Sequence, residues 1–195
     1  AALFTKQISG FRVMVSGLLQ EQLDSIVEYR GVEVLFLQDC TKQKEISFIY
    51  ELNDLKDLTI GGFGADLNLS KLVALESLSI DWGGWFNSMR EDARIKRLSI
   101  WKCKEKNLAS LSRFPSVKSL SVTQSSIDSL LGIERLENIE SLTLAQNRNL
   151  LDLTNLKSTK LKKLTIENSK KIIDYSFLTE MRSLEELKIS NCAPI

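Results

Sequence analysis

The segment VKSLSVTQS at residues 117–125 is answered 22 residues later by IESLTLAQN at 139–147, and after another 22 by LKKLTIENS at 161–169. Each carries the order apolar-x-x-Leu-x-apolar before a short polar stretch, and the Leu-x-apolar alternation is that of a strand with one buried face. Working outward, the same order recurs in VEVLFLQDC from Val32, LKDLTIGGF from Leu55, LESLSIDWG from Leu75, IKRLSIWKC from Ile95 and LEELKISNC from Leu184. The starts of the eight copies lie 23, 20, 20, 22, 22, 22 and 23 residues apart, a period too regular for chance clustering of apolar residues.

So short a period dictates an architecture. Some twenty residues must hold one strand, two bends and a return segment, and a parallel neighbour can follow only after such a crossover. Each copy is therefore one coil. A single coil cannot bury its leucines alone, so the coils stack and bury a ladder formed by Leu35, Leu58, Leu78, Leu98, Leu120, Leu142, Leu164 and Leu187. The return segments, among them NLASLSRF, SIDSLLGIERL, NLLDLTNLKS and IIDYSFLTEM, place sparse leucines and isoleucines on a polar background. Their length predicts short helical or extended turns, not full crossover helices.

These copies closely resemble the leucine-rich-repeat family, whose hallmark is L-x-x-L-x-L-x-x-N/C, from Val32 to Cys192. The resemblance is to the short-repeat, bacterial type. It implies an α/β fold: a right-handed solenoid with a curved parallel β-sheet on its concave face and short helical or extended turns on its convex face. It also implies that the ninth position of each copy turns inward after the strand, where a small polar side chain can bond backbone groups left free by the bend. That position holds Cys40, Phe63, Gly83, Cys103, Ser125, Asn147, Ser169 and Cys192. All three cysteines fall on it and are read as inward ladder residues, not as metal ligands or reactive thiols.

The ends differ from the middle. FRVMV at 11–15 alternates like a strand with Val13 and Val15 inward, and Leu18, Leu19, Leu23, Ile26 and Val27 then recur with helical spacing up to Gly31. Residues 1–31 are accordingly expected to form an N-terminal cap of degenerate strand and capping helix, with 32–195 as the domain of eight repeats. At the other end the C-terminal cap is expected to be minimal or missing, leaving the edge strand around Leu187 exposed or covered by a partner.

Composition narrows the function. The 195 residues carry 26 Lys and Arg against 25 Asp and Glu, a balance that disfavours nucleic acid. No run is long and apolar enough for membrane insertion, and the opening AALFTKQISGFRVMV lacks the order of a signal peptide. The expected setting is cytoplasmic, with an export signal upstream of Ala1 left open, and the unbound state a monomer. The chain has no histidine, which removes the commonest general base and metal ligand. GGFG at 61–64 lacks the Lys and spacing of a phosphate loop and reads as a bend. No cofactor, metal or catalytic residue is expected.

The residues between the inward positions form the face that can bind. Its central column is Phe36, Thr59, Ser79, Ser99, Ser121, Thr143, Thr165 and Lys188, flanked by the mixed-sign stripe Glu33, Lys56, Glu76, Lys96, Lys118, Glu140, Lys162 and Glu185. All three tryptophans fall between residues 82 and 101, where the repeat is least regular. Trp82 and Trp101, beside Asp81, Arg97 and Lys102, are the expected anchors for a protein partner, with Asp57 and Phe36 on the same face. Trp85, Phe86 and Met89 stand where leucines are missing and are read as core. The expectation is a non-enzymatic protein-binding module, in one form an inhibitor or immunity protein that neutralises a toxin or enzyme. The alternative is a fragment of an adaptor, effector or surface adhesion protein.

Overall fold

The computed structural model describes residues 10–16, 24–28, 31–38, 46–61, 67–88 and 94–193. The chain divides into two compact units, Ala1–Arg94 and Ile95–Ile195. The first contains strands β1 (Phe11–Ser16), β2 (Val32–Gln38), β3 (Asp57–Ile60) and β4 (Ser77–Asp81), hydrogen-bonded in chain order and all parallel. The second contains β5 (Arg97–Trp101), β6 (Ser119–Thr123), β7 (Ser141–Ala145), β8 (Lys163–Glu167) and β9 (Glu186–Ser190), likewise parallel and in order.

Register follows the repeat. In the first unit Leu35 pairs with Leu58 and Leu58 with Leu78. In the second, Leu98, Leu120, Leu142, Leu164 and Leu187 pair in succession, and two residues on so do Ile100, Val122, Leu144, Ile166 and Ile189. All of these except Leu187 and Ile189 are buried. Leu187, expected in the buried ladder, is 43% exposed, because among the described residues β9 is flanked by β8 alone. The strand read from FRVMV is β1, where Val13 pairs with Leu35 and Val15 with Leu37.

The return segments are single 3-10 turns: Ser47–Glu51, Leu69–Lys71 and Gly84–Ser88 in the first unit, and Ala109–Arg113, Ile133–Arg135, Thr154–Ser158 and Ser176–Glu180 in the second. A 3-10 turn advances about 2.0 Å per residue against about 1.5 Å for an α-helix, so it crosses the back of a coil with fewer residues. Nearly all close alike: Leu52 N–H donates to Ile49 O, Leu72 to Leu69, Phe114 to Leu111, Leu136 to Ile133 and Met181 to Leu178. A second bond three residues on, such as Val117 N–H to Phe114 O, turns the chain back toward its strand. Each turn drives one or two large side chains inward, including Ile49, Leu69, Leu111, Ile133, Leu156 and Phe177. Trp85 and Phe86 do this in Gly84–Ser88, replacing the missing leucines as expected.

The capping helix expected over 18–30 is described only at residues 24–28, where Ser25–Glu28 forms a 3-10 turn that buries Ile26. Gly31, read as its stop, has φ 80°. Cys40, Phe63, Met89 and most of GGFG lie outside the described residues.

In the second unit two columns bend the chain away from the sheet. Lys102, Gln124, Gln146, Asn168 and Asn191 directly follow their strands and all adopt the left-handed conformation, with φ between 51° and 56°. From Lys102 to Asn168, each of their N–H groups donates to the carbonyl ending the next strand: Lys102 to Thr123, Gln124 to Ala145, Gln146 to Glu167 and Asn168 to Ser190, at 2.8–3.0 Å. The next residue turns inward. Cys103 N–H donates to Ser125 Oγ at 2.9 Å, Ser125 N–H to Asn147 Oδ1 at 2.9 Å and Asn147 N–H to Ser169 Oγ at 3.3 Å. Asn147 also donates through Nδ2 to Val122 O at 2.9 Å, and it is fully buried. The polar ninth position expected from the resemblance thus satisfies the backbone that the bend strips from the ladder.

Coils stack closely at Gly132, which has φ 101° and where a Cβ would collide with the backbone of Leu108 and Ala109. Burial pushes the Cys103 thiol up to about 11.

Three outcomes follow. Asn147→Leu removes the side-chain acceptor of the buried Ser125 N–H and a donor to Val122 O, and should cost about 2 kcal/mol or more in a urea titration; an unchanged midpoint would show the column to be dispensable. Gly132→Ala combines a disfavoured φ with a backbone clash and should cost at least about 2 kcal/mol in the same assay. In a Cys40→Ser, Cys192→Ser background, Cys103 should resist iodoacetamide at pH 8, where it is protonated and buried, and react fully in urea. Rapid native labelling would place that thiol on the surface.

Candidate functional site

The face opposite the core is built by residues that alternate with the ladder, so its composition is fixed by the same register. In the first unit Arg12, Val34, Asp57 and Ser77 pair across β1 to β4 as one column, and Met14, Phe36, Thr59 and Ser79 as the next. In the second unit the columns are Arg97, Ser119, Ser141, Lys163 and Glu186; then Ser99, Ser121, Thr143, Thr165 and Lys188; then Trp101, Thr123, Ala145, Glu167 and Ser190. The expected hydroxyl column is present in both units, interrupted by large side chains at defined places.

The first interruption is apolar. Met14 is 69% exposed, and its cross-strand partner Phe36 is half-buried. With Val34 they form an apolar island on adjacent strands roughly 4.8 Å apart, bordered by Arg12 and Asp57. Phe36 and Asp57 are among the residues expected from the sequence to face a partner. Met14 is not, although its place in FRVMV, one residue after Val13, puts it in the central column.

Trp82 and Asp81 lie at the end of β4 in the same unit. Asp81 is the last strand residue and half-buried, and its carbonyl accepts the indole N–H of Trp85 at 2.7 Å. Trp82 comes just after the strand, with its ring centroid 4.8 Å from that of Phe86 and 5.9 Å from that of Trp85. Both neighbours are core residues. Trp82 therefore leans on the core of its own unit and is only partly a surface group.

The remaining three expected residues belong to the second unit. Arg97 opens β5 and is exposed, Trp101 closes it and is 39% exposed, and Lys102 follows in the left-handed conformation. Around them the charges of the face are largely matched. Lys163 meets Glu186 at 2.8 Å and Lys188 meets Glu167 at 2.5 Å, while Lys118 and Lys162 both meet Glu140. The Lys163–Glu186 bond holds that carboxyl below its ordinary range and that ammonium above it. In the first unit Lys56 meets Glu33 at 3.1 Å. In the mixed-sign stripe expected beside the strands, Glu33, Lys56, Lys118, Glu140 and Lys162 are thus ion-paired. Asp57 begins β3 and Asp81 ends β4, so the two carboxylates stand in different columns.

Among the described residues no group of three or more Cys, Asp or Glu could hold a metal ion, and no helix is long and apolar enough to cross a membrane.

No protein-family model and no curated protein sequence matches the chain. Solved structures do match it. The functional domain of InlJ from Listeria monocytogenes, described as including a cysteine ladder, aligns with 91% of this chain at TM-score 0.52 and 12% identity. The internalin InlF from Listeria monocytogenes str. 4b F2365 aligns with 94% of it at TM-score 0.50 and 12% identity. The chain spans 37% of the length of the InlJ chain and 74% of that of InlF. At such identities the likeness concerns the fold, and with the 20- to 23-residue period and parallel leucine register it gives one answer. The chain has the leucine-rich-repeat fold of the short-repeat, bacterial type.

Proposed function

We propose that this chain is a non-enzymatic recognition module that holds a protein partner on the strand face opposite the core of each unit. The observation that carries the reading is the form of that face. In each unit small hydroxyl residues keep it low, and a few large side chains stand above them: exposed Met14 and half-buried Phe36 in the first, exposed Trp101 in the second. Such groups are effective anchors because the backbone beneath them is already ordered, so binding freezes few rotors. The matched charges around them favour a polar rim over a polyanion site. The chain offers no histidine for general-base work, which supports a non-catalytic role.

The partner surface expected from the sequence, Phe36, Asp57, Asp81, Trp82, Arg97, Trp101 and Lys102, is retained in the proposal with Met14 added. Of the two forms of the function, a recognition segment of a larger adaptor, effector or adhesion protein has one observation in its favour: the InlJ chain, on which this one aligns over 91% of its length, is much the longer. An inhibitor or immunity role for a free-standing module is the other form.

The test is a pull-down from the source organism's lysate, followed by titration of the recovered partner against single variants. Phe36→Ser and Trp101→Ala should keep the circular dichroism spectrum and weaken binding at least tenfold, about 1.4 kcal/mol. Trp82→Ala should in addition lower folding stability by about 1 to 3 kcal/mol through loss of its contacts with Trp85 and Phe86. Equal affinity in the Phe36 and Trp101 variants would remove the partner from this face.

A further inference from the structure

Gln146, Arg148, Asn168 and Lys170 line a recess of about 470 Å³ in the second unit. It lies just past the ends of β7 and β8, and its walls are two successive copies of one motif: a left-handed amide residue, a buried ninth-position residue, then a cation. Gln146 and Asn168 are 22 residues apart, as are Arg148 and Lys170. The repeat itself therefore places two amides and two cations around one space.

The polarity of that space is fixed by the neighbouring coils. Gln124 Nε2 donates to Gln146 Oε1 at 2.7 Å, and Asn191 Nδ2 donates to Asn168 Oδ1 at 2.7 Å. Both amide oxygens are thus engaged by a side chain of an adjacent coil, and each NH2 has no partner among the described residues. Arg148 and Lys170 likewise have neither ion pair nor hydrogen bond among the described residues, in contrast to Lys118, Lys157, Lys162, Lys163 and Lys188, all of which meet a carboxylate. The carboxylate that ends β8, Glu167, is engaged by Lys188. The recess is lined by donors: a guanidinium, an ammonium and two carboxamide NH2 groups, with two positive charges and, among the described residues, no lining carboxylate.

We propose that this recess is a binding site for a phosphate dianion, free or carried as a phosphomonoester. Charge and lone pairs decide against a single carboxylate, which has one charge and two oxygens and would leave one cation and part of the donor set unanswered. A phosphate dianion answers both cations and offers three or four oxygens to the four donor groups, with the Arg148 guanidinium able to take two of them in a fork. The site stands independently of the protein-recognition face, since none of its four residues is an anchor there.

The experiment is a 1H–15N NMR titration of the labelled chain with inorganic phosphate, and separately with phenyl phosphate and succinate, at constant ionic strength. The expected result is a saturable shift at the side-chain amides of Gln146 and Asn168 and the backbone of 146–148 and 168–170, for both phosphate probes. Arg148→Gln combined with Lys170→Gln should weaken it at least tenfold, while Lys160→Gln, an exposed cation elsewhere in the unit, should leave it unchanged. The proposal is overturned if the double variant responds like the parent, if the shifts scatter over the lysines of the surface without saturating, or if succinate binds more tightly than phosphate.

Discussion

Everything in this fold depends on satisfying the backbone where each strand ends. A parallel ladder must be abandoned every twenty-odd residues so that the chain can return over the back of the coil, and the abandoned N–H and C=O groups lie beside the hydrophobic core, where water cannot reach them. The second unit solves the problem twice. A left-handed residue carries one more ladder bond past the strand end, and Ser125, Asn147 and Ser169 then supply side-chain oxygens to the next N–H groups. Only because those groups are paired can Leu142, Leu144 and Ile166 be packed without a polar cost nearby.

The strand face inherits its precision from the same register. Once Leu35 is opposite Leu58, Phe36 is necessarily opposite Thr59, and the apolar island of Met14, Val34 and Phe36 is as fixed as the core beneath it. The edge beyond the strands inherits it too, because the residue three positions after a strand is brought to the same place in successive coils. Arg148 and Lys170 meet at one recess for that reason alone.

The period and the ladder could be read directly from residues because a burial pattern with a period of two, repeated at constant spacing, admits one arrangement of strands. What stayed illegible was whatever depends on side chains from different parts of the chain. That Trp82 leans on Trp85 and Phe86 follows from how Gly84–Ser88 folds as a 3-10 turn, and no spacing rule announces it. The ion pairing of Lys163 with Glu186 joins residues in adjacent copies that composition counts only as balanced charge. Met14 was hidden for a different reason: β1 lies in a copy whose leucines are replaced by valines, so its columns were not extended to it.

The left-handed column has a consequence for the chain's thermodynamic margin. Asn tolerates positive φ better than most residues, and Asn168 and Asn191 use that tolerance. Lys102, Gln124 and Gln146 hold the same backbone conformation with side chains less suited to it. Each is a position where the natural sequence stops short of its most stable choice in favour of a longer polar arm at the sheet edge. The molecule thus keeps a reserve of stability unused, and it keeps it along the very edge where Gln146 helps form the recess.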